Sequence, residues 1–140
     1  MKRNLALAVI GLSLIASSGA AITLEDVAGI YIGKVTRTSF DLVEHLDQVT
    51  AIYPGGDLVV YNYIKDRGQP RVLFLEYWRM APLSQFGTFG DLSTDAYEGL
   101  VRLRGNHLTL VIEFADGFTT RELQGRRVDA FPDFITPWTP

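Results

Sequence analysis

The sequence predicts an all-β chain, an up-and-down antiparallel meander closed into a small barrel of about eight strands behind an N-terminal signal peptide. Three observations carry this reading. Between Tyr97 and Phe118, Leu108, Leu110, Ile112 and Phe114 alternate with His107, Thr109, Val111 and Glu113, the period of a half-buried strand. Gly105-Asn106 just before it is a two-residue hairpin signal, so 98–104 is its partner. Further turn signals, such as Pro54-Gly55-Gly56-Asp57 and the polar run 65–70, punctuate the chain at strand-length intervals. Each strand can pair with a sequence neighbour, and closing the sheet removes exposed edges.

The first segment is read separately. Lys2 and Arg3 precede an apolar run from Leu5 to Ile15, and small residues follow at 16–21. This is the layout of a secretory signal peptide. The run is shorter than the ~20 residues of a spanning helix. Cleavage after Ala20 is favoured over Ala21. The expected organisation is therefore a signal peptide at 1–20, a β-barrel domain at 21–131 and a Pro/aromatic tail at 132–140. The expected location is exported, periplasmic or secreted, with no stable membrane insertion after cleavage.

The chain has no cysteine, which excludes disulfides, a lipid-modified Cys and thiolate metal sites. Losing Lys2 and Arg3 takes the formal net charge from −3 to about −5. That argues against nucleic acid and anionic membranes as partners.

Along the remaining chain, Leu24–Ala28 reads as a helical turn capped by Thr23. Strands are expected at 30–37, 47–53, 57–64, 71–79, 85–89, 98–104, 107–114 and 118–124, with an extension past Gly125. Gly33 inside the first strand marks a bend or a close backbone approach. Phe40, Val43 and Leu46 are spaced by three, which predicts a short helix within 38–46. The inward faces of 57–64 and 71–79 are left open, because both faces of 71–79 are apolar. In the tail, Pro132, Pro137 and Pro140 exclude a central strand. Phe134 and Trp138 either lie over the domain or are offered to a partner. An outer-membrane barrel is disfavoured by strand length, since such strands run about 9–11 residues around a polar interior.

The segment Asp26-Val27-Ala28-Gly29-Ile30-Tyr31-Ile32-Gly33 resembles the opening of lipocalin-like, calycin-type barrels. There a helical turn leads into a Gly-X-aromatic-X-Gly strand. Tyr31 stands where that pattern usually has Trp, and the long C-terminal helix has no counterpart. The resemblance is to small bacterial lipocalin-like domains. It implies a barrel able to enclose a small apolar ligand.

No catalytic or cofactor motif emerges. His45 lies near Glu44 and Asp47, too few ligands for a metal site, and His107 falls on a polar face. Glu76, Glu98 and Glu113 lie in strands and are expected to face water or pair with Arg79, Arg102 or Arg104. Aromatic residues are the better lead, because ligand pockets are mostly apolar. Tyr31, Tyr61, Tyr63, Trp78, Phe89 and Phe40 are the expected ligand-binding residues, with no catalytic residue, metal or cofactor. If the barrel is open, the mouth is expected at the end of loops 38–46, 65–70, 90–97 and 115–117, with Phe40 and Val43 in a lid. The expected function is binding of a small apolar or amphipathic molecule. The alternative is a structural or protein-interaction barrel with a filled core. A small barrel enzyme is a third class.

Overall fold

The computed structural model describes residues 21–139. The expected signal peptide at 1–20 lies outside them. A four-residue helix, α1 (Leu24–Val27), opens the described chain. Thr23 and Asp26 cap it reciprocally, each side chain accepting the other's backbone N–H, which satisfies two of the orphan amides of a helix start.

Eight strands follow: β1 (Gly29–Ser39), β2 (Leu42–Ile52), β3 (Asp57–Asp66), β4 (Gln69–Arg79), β5 (Thr88–Gly90), β6 (Tyr97–Arg104), β7 (His107–Phe114) and β8 (Thr119–Val128). They form one antiparallel sheet in the order β4-β3-β2-β1-β8-β7-β6-β5. The meander is thus joined through its first and last strands. Hydrogen bonds do not close the expected barrel: β4 and β5 remain edges. The sheet is nevertheless rolled on itself. Trp78 of β4 meets Phe114 of β7 edge-on at 6.3 Å, and the Tyr97 hydroxyl of β6 bonds the backbone of Arg79 in β4.

The inward face carries Tyr31, Val35, Leu46, Leu58, Val60, Trp78, Val101, Leu110 and Leu123 in one buried cluster. Leu108 and Ile112 belong to the same cluster, with Phe114 packed against it, so the alternating pattern of β7 fixes the core side. Register settles the two ambiguous strands. Leu58, Val60 and Asn62 of β3 stand opposite Trp78, Glu76 and Phe74 of β4, on the inward face.

The outward face of β1–β4 has its own apolar cover. Val49, Ala51, Val59, Tyr61 and Tyr63 cluster with Ile135, and Phe131, Phe134 and Trp138 pack against them. The tail therefore lies across the sheet. It is anchored where the Trp138 backbone N–H donates to the Tyr61 hydroxyl and its carbonyl accepts from Tyr53.

Four sequence expectations need correction. The helix expected within 38–46 is a hairpin: β1 runs to Ser39, β2 starts at Leu42, and only Phe40-Asp41 turns. Cross-strand pairs Lys34–Asp47 and Arg37–Glu44 outweigh the three-residue apolar spacing. The strand 47–53 consequently begins five residues earlier than expected. The strand expected at 85–89 shrinks to Thr88–Gly90. Loop lengths also differ. The connections at 40–41 and 67–68 are tight, and the longest connection lies at 80–87, at the opposite end. The Gly105-Asn106 turn is present as read, with Arg104 opposite His107 and Gly105 at φ 56°.

Candidate functional site

The turns 40–41, 67–68 and 115–118 share one end of the rolled sheet, as strand alternation requires. Just inside that end lies a charged cluster. Arg37 of β1 stands directly opposite Arg121 of β8 on one side and Glu44 of β2 on the other. Because Tyr31 and Val35 point inward, so does Arg37, two residues further on. Two like charges directly opposed are unfavourable unless neutralised.

Glu76 pairs with both from across the interior, and Glu44 supplies the second negative charge at Arg37. Glu76 accepts from Arg121 as a bidentate partner, with Nε 3.2 Å from Oε1 and Nη2 3.0 Å from Oε2, the strong form of a guanidinium–carboxylate bond. Arg121 places its Nη1 on the Thr120 carbonyl at 3.0 Å. Asn62 Nδ2 donates weakly to Glu76 Oε1 at 3.4 Å. Arg37 Nε lies 3.6 Å from the same oxygen and makes no hydrogen bond although buried. The Arg37 Nη1 bonds Glu44 instead. Asn62 is wholly buried and its Oδ1 also lacks a partner.

Aromatic rings frame the cluster. Phe74 lies under the Arg37 guanidinium at 4.6 Å and Phe114 under that of Arg121 at 5.0 Å, distances at which a cation–π attraction acts. Phe74 is on the inward side in step with Glu76 and Trp78, and the register shift at Asn62/Tyr63 just beyond it turns Val72 to the outward face beside Tyr63. Bulges commonly re-aim side chains in this way. Above the cluster, at the rim, Phe40 and Phe118 stack with ring centres 4.9 Å apart. Both are exposed, as is Leu42.

The six aromatic residues expected to line a pocket divide among three places. Tyr31, Trp78 and Phe89 lie in the inward core. The Tyr31 hydroxyl donates to the Val27 carbonyl at 2.7 Å and accepts from Arg127 at 2.6 Å. Burial raises the Tyr31 pKa above its ordinary value, opposed by Arg127. Tyr61 and Tyr63 face outward under the tail, against Phe131 and Phe134. Phe40 is at the rim, stacked on Phe118 and apart from the other five. Val43 is exposed on the outward face, opposite Thr38. The expected pairing of Glu76 with Arg79, Arg102 or Arg104 gives way to Arg121 and Arg37, because alternation on β4 turns Glu76 inward and Arg79 lies three residues away on the other face.

Sequence reasoning missed Arg37 and Arg121. The available signal was phase: Arg37 is in step with Tyr31 and Val35, and Arg121 with Leu123. No known protein family, curated protein or solved structure matches this chain.

Proposed function

We propose that the chain is an exported, lipocalin-like, barrel-shaped binding protein for a small amphipathic molecule, held at the end that carries Phe40 and Phe118. The observation supporting this is the exposed apolar rim directly above an inward cation with an unused donor. Arg37 is half-buried beneath the rim, and its buried Nε has no hydrogen bond. Its present partner Glu44 has a half-exposed side chain, free to swing into water. A ligand carboxylate can take that place with the same planar geometry, while its apolar body covers Phe40, Leu42 and Phe118. Below the cluster the interior is packed with apolar side chains, so the ligand sits in the mouth. Closure into a barrel is supported by the Tyr97–Arg79 bridge across the seam and by the Glu76–Arg121 pair across the interior.

The test is displacement of a fluorescent apolar anion, anilinonaphthalene sulfonate, by dodecanoate and by dodecyltrimethylammonium. Dodecanoate is expected to displace the dye at micromolar concentration and the cationic analogue to fail. Arg37→Gln is expected to weaken dodecanoate binding at least tenfold, the usual scale of one charge-assisted hydrogen bond. Phe118→Ala should weaken both dye and dodecanoate. No saturable binding by any amphiphile sinks the reading in favour of the structural or protein-interaction alternative.

A further inference from the structure

A second charged region lies on the outward face, near the end that carries Gly105-Asn106. Arg104 of β6 is directly opposite His107 of β7, which is directly opposite Arg126 of β8. Opposed side chains have Cβ atoms about 5 Å apart, so three basic groups stand in a row roughly 10 Å long. All three are exposed. The side chain of neither Arg104 nor Arg126 makes a hydrogen bond or ion pair among the described residues. Arg104 and Arg126 thus place two guanidinium charges on either side of His107. Here they are gathered on a chain whose net charge is −3.

Beside the row the surface dips into an open groove of about 520 Å³. His107 and Arg126 line it together with Lys34, Thr36, Glu122 and Gln124, over the opposed backbones of Gly33 and Gly125. The groove is chemically graded. Arg126 and His107 stand at the end near Gly105, the Gln124 amide at mid-length, and the Glu122 carboxylate and Thr36 hydroxyl at the other end. Lys34, at mid-length, is held by Asp47.

We propose that this groove binds a small phosphorylated polyol or sugar. The phosphate sits on the row Arg104, His107 and Arg126, where guanidinium forks match its oxygens. Gln124, Thr36 and Glu122 take the hydroxyls. The short row on an acidic chain suits one compact oxyanion. A long polyanion would run past it into repulsive surface.

Calorimetric titration of the purified protein with glucose phosphate, inorganic phosphate and glucose tests this. Glucose phosphate is expected to bind saturably, at least tenfold tighter than either of the other two. Arg104→Gln and Arg126→Gln are each expected to weaken it several-fold and together to abolish it. Both residues are exposed, so circular dichroism should show the fold intact. Lys65→Gln, at the other end of the sheet, should change nothing. The proposal is overturned by absence of saturable binding, by inorganic phosphate binding as tightly as glucose phosphate, or by an undiminished affinity in the double variant. None of these outcomes depends on the rim around Phe40.

Discussion

Gly33 shows how one residue constrains the fold. Its backbone runs so close to β8 that an added Cβ would sit 1.8 Å from the Gln124 carbonyl oxygen and 2.7 Å from Gly125 Cα. Those are backbone atoms, so nothing flexible can move aside. Gly33→Ala is expected to cost about 3 kcal/mol, the upper range of overpacking, measured as a fall in urea midpoint. Gly99 is similar in kind, with the Phe89 ring 2.1 Å from its missing Cβ, but there a side chain can yield. The close approach at Gly33 was legible in the sequence, because a glycine inside a strand has few other reasons to be there. The approaching strand was not, since β8 lies about ninety residues further along the chain and only tertiary pairing brings it near. The tyrosines add a pH dependence. Burial raises the pKa of Tyr31, Tyr53 and Tyr63. In the unfolded chain these phenols ionise first, so their contribution to stability is complete below about pH 10. It is lost as the pH rises through the higher folded values. Denaturant midpoints are expected to hold between pH 7 and 9 and to fall above 10, in step with tyrosinate absorbance.

At the scale of elements, the β1–β2 hairpin and the tail separate what the sequence discloses from what it hides. The hairpin turn Phe40-Asp41 contains none of the usual turn glycines, and Phe40 adopts φ 56°, an uncommon conformation for a bulky residue. Without a Gly or Pro signal, the three-residue spacing of Phe40, Val43 and Leu46 imitates a helix. Phe40→Gly should relieve the strained φ and remove the stack on Phe118. Thermal stability is expected to change by less than about 1 kcal/mol, while dye displacement by dodecanoate weakens. An unchanged affinity in this variant would take the rim out of the binding site. The tail poses a different problem. Its prolines announce that it is not a strand, but its landing place depends on an outward apolar face of β2 and β3 that alternation alone did not assign. Ile135 is the buried centre of that contact. Ile135→Ala is expected to cost about 2 kcal/mol, read as a lower urea midpoint with the circular dichroism of the sheet unchanged.

At the scale of the whole molecule, the weak line is the seam between β4 and β6, where no ladder of hydrogen bonds joins the rolled sheet. Side chains do this work instead. The Tyr97 hydroxyl accepts from the Arg79 N–H at 2.9 Å and donates to the Arg79 carbonyl at 3.1 Å. One phenol thus replaces the two bonds a neighbouring strand would have supplied. Deeper in, Glu76 of β4 reaches Arg121 of β8 across the interior rather than across the seam. The two bridges differ in kind. Removing Glu76 would strand a buried guanidinium, which costs several kcal/mol for reasons unrelated to closure. Removing the Tyr97 hydroxyl leaves only exposed backbone groups, which water can satisfy. Tyr97→Phe is therefore the cleaner probe of the seam. It is expected to lower global stability by no more than about 1 kcal/mol. Amide exchange at Arg79 should accelerate much more than exchange in β1 or β7, whose strands are paired on both sides. Uniform acceleration across all strands would mean that the seam opens only when the whole sheet unfolds. The side-chain bridges would then be part of the global cooperative unit.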